Sequence, residues 1–261
     1  MGSRGLAPLQ GRSEEGAEPP SFFLMRILSI DTSADVGGAA LVDSETGLVG
    51  EVVISVQRKK KTFSERLMPA IDSLLVSEGC QIGDVEAFAL TVGPGSFTGL
   101  RVGLSTIKGL AFATGKPVLA LPTFEALSYN YRYCSYPVCA ILEAKKDEVY
   151  ATVFQWHNNC LSTLVDPGLY NIDELLDGLT LGKIVFTGGA IIPYRDVICN
   201  QLGDNAILGQ AHVSPLNVGL LALERLKAGE ICRIEELSPI YLKKSQAEER
   251  YGCNHPPDDG R

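Results

Sequence analysis

The chain has 261 residues, 45% of them hydrophobic, with a mean hydropathy of +0.10, a formal charge of -8 and a pI near 5.0. That apolar content supports one or two packed cores and excludes wholesale disorder, and no apolar run reaches the roughly 20 residues that span a bilayer. The acidic balance excludes tight unaided binding to nucleic acid, because that affinity comes mostly from Lys and Arg neutralising phosphates.

Residues 1–24, rich in Gly, Pro, Arg and Glu, read as a flexible tail. They lack the apolar stretch and small-residue cleavage site of a signal peptide, and Met25 is a candidate true start. Three alternating apolar stretches follow at 26–31, 36–42 and 48–56, a meander joined by short turns. The basic run Arg58-Lys59-Lys60-Lys61 then reads either as the solvated end of an edge strand or as a phosphate or partner contact. From Ser64 to Gly79 the period becomes helical: Leu67, Ile71, Leu74 and Leu75 recur at three and four, with Ser64 as N-cap and Gly79 at the C-terminus. A strand at 87–92, a glycine loop at 93–96 and a long helix to Thr114, ended by Gly115, complete a βββαβα unit. A strand at 117–121 and a helix at 124–131 close this half.

The plan then restarts. Strands are expected at 138–143, 148–155 and 161–165, a short helix from Ile172, a strand at 183–187, a Gly188-Gly189 turn, a helix at 194–202 and a closing helix at 216–228. The order predicts an α/β protein of two similar lobes, residues 25–133 and 134–248, around a cleft, with a flexible tail at 249–261. An acidic residue, Asp31 or Glu143, ends the first strand of each lobe.

Gly93, Gly95 and Ser96 lie between a strand and a helix, where free N–H groups and the helix dipole favour an anion; the competing reading is a plain glycine turn. The run lacks the Gly-Lys-Ser/Thr ending of a Walker loop and the spacing of a dinucleotide fingerprint. Asp31-Thr32-Ser33, entering a tight turn, resembles the first phosphate loop of the actin, sugar kinase and Hsp70 superfamily; the competing reading is an ordinary Asx turn. His157, His212 and His255 are far apart, so no metal ligands and no catalytic residues are nominated. Seven scattered Cys without a CxxC pair fit reduced thiols and a cytoplasmic location.

Five segments carry a family resemblance: Leu28-Ser29-Ile30-Asp31-Thr32-Ser33, Ser64-Glu65-Arg66-Leu67-Met68-Pro69, the run VGPGSFTGLRVGLSTIKGLA from Val92, Glu148-Val149-Tyr150, and Pro239-Ile240-Tyr241-Leu242-Lys243-Lys244. Over residues 25–248 the chain resembles the bacterial TsaB family, also called YeaZ. Phe63 stands where that family commonly has His, and Glu143-Ala144-Lys145 where it commonly has Asp-Ala-Arg. The resemblance implies an RNase H-like/actin-like (ASKHA) fold in two lobes, each a βββαβα unit. It implies a non-catalytic scaffold and activator of the paralogue TsaD, with the ATPase TsaE as third member. TsaD transfers a threonylcarbamoyl group to the adenosine beside the anticodon of tRNAs reading codons that begin with A. Contact with tRNA would be indirect, and the chain would dimerise with itself when alone. No cofactor is expected to be held firmly, ATP or ADP at or near the partner interface being the one candidate, with Asp31, Thr32, Ser33, Gly93, Gly95 and Ser96 as vestigial phosphate loops. The alternative is an autonomous ATP-dependent enzyme of the same superfamily, a kinase or carbamoyltransferase. Such an enzyme should carry a second glycine-rich phosphate loop, where residues 143–147 offer Glu-Ala-Lys-Lys-Asp.

The helix from Ser64 has more apolar residues than one buried stripe uses, and Gly99 and Gly103 fall four apart in the next helix. The partner surface is therefore expected at Leu67, Met68, Ile71, Leu75, Gly99, Gly103, Leu104 and Lys108, paired with the equivalent helices of TsaD in an interchain four-helix bundle. Close packing of the two glycines on the protein's own sheet is the competing reading.

Overall fold

The computed structural model describes residues 24–56 and 62–240. The basic run at 58–61, both expected tails and residues 241–248 lie outside the described residues, apart from Leu24.

Strands β1 (Arg26–Asp31), β2 (Val36–Asp43) and β3 (Gly47–Ser55) form the meander. Helix α1 (Phe63–Ser77), strand β4 (Ala87–Gly93), helix α2 (Phe97–Thr114), strand β5 (Val118–Pro122) and helix α3 (Thr123–Tyr129) follow. The second half repeats them as β6 (Val138–Glu143), β7 (Glu148–His157), β8 (Cys160–Asn171), α4 (Ile172–Gly178), β9 (Ile184–Thr187), α5 (Arg195–Leu202) and β10 (Ala206–Leu208). The first sheet runs β3-β2-β1-β4-β5 and the second β10-β9-β6-β7-β8. In each, the first strand pairs antiparallel with the second and parallel with the fourth: Asp31 faces Gly38 as Glu143 faces Val149. This is the expected duplicated βββαβα.

Layering follows from which face each residue buries. Leu28, Ile30 and Leu90 point to the outer face of the first sheet, where α1 and α2 cover them with Leu67, Ile71, Leu74 and Ile107. Cys139, Ile141 and Phe186 do the same in the second sheet under α4 and α5. The inner faces share one core: Ile27, Val42 and Ala89 of the first sheet and Val138, Ala140 and Trp156 of the second meet around α3 and a closing helix α6 (Pro215–Lys227). Strands apolar on both faces are the mark of parallel pairs covered on each side.

Although α6 follows the second sheet in sequence, it docks on the first. Glu51 of β3 caps it, its carboxylate accepting from Ser214 Oγ at 2.8 Å and from the Leu216 N–H at 3.1 Å, which also places negative charge at the helix's positive end. Buried Ser29 of β1 donates to the Pro215 carbonyl at 2.7 Å. After α6 the chain straps the first lobe: Cys232 bridges to Val118, Leu237 is buried in the outer core, and the Ile240 N–H donates to Val92 at 2.6 Å.

Candidate functional site

The two candidate phosphate loops meet at the cleft between the lobes. Asp31 ends β1 fully buried; its Oδ1 accepts from Thr91 Oγ1 at 2.5 Å and from the Ser33 N–H at 3.3 Å, while its Oδ2 has no hydrogen-bond partner. Burial pushes its pKa up to about 6, against the opposing pull of these hydrogen bonds, because a carboxylate sheds hydration that the site only half replaces. Thr91, at the matching level of β4, went unnoticed in the sequence because one Thr in an apolar strand gives no signal of its cross-strand partner.

Two donors of the glycine loop are already engaged. The Ser96 N–H donates to the Ser33 carbonyl at 2.7 Å, and the Gly99 N–H to Ser96 Oγ at 3.2 Å, so Ser96 is the N-cap of α2. Thr32 Oγ1 donates to the Gly99 carbonyl at 2.8 Å. Three glycines make this approach possible: a methyl group at Gly95 would lie 2.4 Å from the Ser33 carbonyl, one at Gly99 2.0 Å from the Thr32 carbonyl, and one at Gly103 2.4 Å from Thr32 Oγ1. Asp31, Thr32, Ser33, Gly93, Gly95 and Ser96 are thus brought together, but into a loop pair bonded to itself. Gly93 and Gly188, which end or follow the corresponding strands β4 and β9, both adopt left-handed φ, +119° and +103°. The second lobe's counterpart of buried Asp31, Glu143, is instead exposed at the cleft.

The expected partner residues divide. Leu67, Ile71 and Leu75 are core residues of the first lobe, and Gly99 and Gly103 are pressed on Thr32, which is the close-packing reading of those glycines. Leu104 and Lys108 are half-buried and Met68 is 45% exposed. Other apolar side chains on the same two helices stand out in solvent: Val76 at 72%, Phe97 at 44% and Phe112 at 87%. On α1, Ser64, Met68, Asp72 and Val76 recur every four residues, one outward stripe. On α2, Phe97, Arg101, Leu104, Lys108 and Phe112 form another, with the Arg101 guanidinium 3.8 Å above the Phe97 ring. Ser64, Phe97, Arg101 and Ser105 line one groove, so the stripes adjoin. The sequence reading named Leu104 and Lys108 of this stripe but missed Phe97 and Phe112, because it was anchored on Gly99 and Gly103, which face the opposite side of α2.

The helix start also differs: α1 is capped by Thr62, whose N–H donates to Glu65 at 2.9 Å, and Ser64 lies inside the helix. Phe63, where the resembled family commonly has His, is buried and packs in the outer core.

Residues 49–251 match the family model for TsaD, tRNA N6-adenosine threonylcarbamoyltransferase. The chain is 29% identical over 232 residues to the tRNA threonylcarbamoyladenosine biosynthesis protein TsaB of Bacillus subtilis, covering 87% of this chain and 98% of that protein. It is 26% identical to TsaB of Escherichia coli, covering 85% and 96%. The structure of YeaZ from Pseudomonas aeruginosa superposes with a TM-score of 0.68 at 24% identity, covering 84% of this chain and all of that one, and shares the two-lobed fold. With one duplicated fold, a family model spanning both lobes and relatives matched nearly end to end, the chain belongs to the TsaB (YeaZ) family, within the group that the TsaD family model describes.

Proposed function

We propose that the chain takes part in tRNA threonylcarbamoyladenosine biosynthesis as a non-catalytic subunit that binds and activates TsaD. The names of its relatives support the pathway. The observation that carries the subunit role is the pair of outward stripes on α1 and α2, where Met68, Val76, Phe97 and Phe112 are exposed on adjoining helices. An apolar patch of this kind on a protein of net charge -8 marks a surface that is covered in use. Two helices offered side by side suit two helices of a paralogue with the same fold, giving a four-helix interface. The same self-complementary face accounts for a homodimer when TsaD is absent.

The glycine loop fits this role better than that of an autonomous kinase. Two of its N–H groups, those of Ser96 and Gly99, are spent on the Ser33 carbonyl and the Ser96 hydroxyl, which leaves fewer donors for a phosphate at this helix end. ATP or ADP, if used, belongs nearer the partner interface. TsaE joins as third member, tRNA is reached through the complex, and the cytoplasm is the compartment. Among the described residues no helix is long and apolar enough to cross a membrane.

Reconstitution tests the reading. TsaD from the same organism, with TsaE, unmodified tRNA and a source of threonylcarbamoyl-AMP, should modify the tRNA only when this chain is added. The chain alone should leave tRNA unmodified. Modification by the chain without TsaD would overturn the non-catalytic role.

A further inference from the structure

Of the glycines in α2, Gly99 and Gly103 are required by the protein's own packing, but Gly109 is not. It lies in the helix interior on the outward face, and a methyl group built on it would meet nothing within 4 Å. Glycine inside a helix weakens it relative to alanine, and nothing within this chain uses the space in return. One turn on, Phe112 is 87% exposed, the most exposed large apolar side chain among the described residues. Ser105, Gly109 and Phe112 follow one another at spacings of four and three, the seam spacing of packed helices. A helical side chain leans over the turn before it, yet the Phe112 ring does not cover Gly109, whose surroundings are empty to 4 Å. One face of α2 thus carries an unfilled notch and a ring with nothing beneath it.

We propose that α2 packs antiparallel on α2 of a second copy of this chain, the Phe112 ring of each seated in the Gly109 notch of the other. An isologous interface sets a patch against itself, so a ring and a notch one turn apart satisfy each other twice about a two-fold axis between them. In that register Lys108 falls opposite Ala113 and Arg101 lies past the end of the facing helix, so neither cation of the face meets its like. The second copy is the occupant because the ring that fits the notch is on this chain. The contact rests on the reading of α1 and α2 as a partner surface, and adds to it the position where a facing helix comes closest. A large ring seated in a desolvated notch is the kind of contact that dominates an interface.

Sedimentation equilibrium of the full chain alone tests this. A monomer–dimer equilibrium is expected, and Phe112→Ala and Gly109→Leu should each raise the dimer dissociation constant about tenfold, the first by removing the ring and the second by filling the notch. Leucine is a good helix former, so Gly109→Leu should also raise the melting temperature measured where the chain is monomeric. Opposite signs on the two readouts separate a lost contact from a damaged fold. Combining the two changes should weaken the dimer by less than the product of their separate effects, because the ring that meets the new leucine is gone. A wild-type chain that stays monomeric at its highest soluble concentration overturns the proposal. If Met68→Glu with Phe112→Glu blocks TsaD binding while Gly109→Leu leaves self-association unaltered, the partner surface holds and the Phe112–Gly109 contact is overturned.

Discussion

The Ser96 N–H donates to the Ser33 carbonyl across 2.7 Å, and this one bond joins the turn after β1 to the loop before α2. The glycines of α2 are the condition for it, and they predict a graded response along one helix. Gly99→Ala would push a methyl group into the Thr32 carbonyl, which backbone geometry holds in place. Gly103→Ala meets chiefly the Thr32 hydroxyl, a side-chain group that can swing aside by giving up its bond to the Gly99 carbonyl, so overpacking of about 1–3 kcal/mol is offset in part by the better helix propensity of Ala. Gly109, on the same helix, has nothing within 4 Å of a new methyl group, so Gly109→Ala should stabilise by up to about 1 kcal/mol. Thermal unfolding should rank the variants Gly109→Ala above wild type, then Gly103→Ala, then Gly99→Ala. Destabilisation by all three alike would contradict the assignment of Gly99 and Gly103 to the protein's own packing.

Asp31 makes the protein's stability depend on pH in an unusual direction. Its native pKa of about 6 lies above the unfolded value near 3.8, so the native state holds the proton more tightly. Its contribution is therefore fully present below about pH 4 and is lost as pH rises through 6, by about 3 kcal/mol across the window. Asp31→Asn cannot ionise and should remove that component. The difference in unfolding free energy, variant minus wild type, should grow more positive from pH 4.5 to pH 7.5. A constant difference would show that Asp31 titrates normally.

The strap after α6 should matter to the first lobe. Leu237 is 2% exposed and sits in the outer core with Val118 and Ile107, so Leu237→Ala should cost about 2–5 kcal/mol. Hydrogen exchange should rise in β4 and β5, at the first lobe's edge, while β6 and β7 stay protected. Equal loosening of both sheets would mean that the lobes unfold as one unit and that the strap is not specific to the first.

The strands and long helices were legible in the sequence because their periods and punctuation agree: alternation ends at Asp31, Ser96 caps α2, and Gly115 ends it in the left-handed conformation. Local signals stop where distant residues decide. Strand β10 is three half-buried residues with no pattern to read, and β8 runs on through Pro167 because an edge strand tolerates a missing donor. The docking of α6 on the first sheet depends on Glu51 and Ser29, more than 160 residues away in sequence. The site divides likewise. The chemistry of Asp31 and the glycine loop is written in a contiguous motif, whereas which face of α2 is bare depends on where Thr32 sits, and the glycines that look like a docking stripe are the buried side.

The exposed stripes of α1 and α2 can be tested directly with Met68→Glu combined with Phe112→Glu. Both side chains stand in solvent, at 45% and 87%, so the double variant should fold with an unchanged melting temperature. Charges placed in the centre of an apolar interface remain desolvated and unpaired, and each should cost several kcal/mol of binding. The decisive measurement is mass photometry of the double variant mixed with TsaD, read beside threonylcarbamoyl incorporation into tRNA. The expected result is a folded chain that forms neither heterodimer nor homodimer and supports no modification. A folded double variant that still assembles with TsaD and sustains modification would show that the partner surface lies elsewhere.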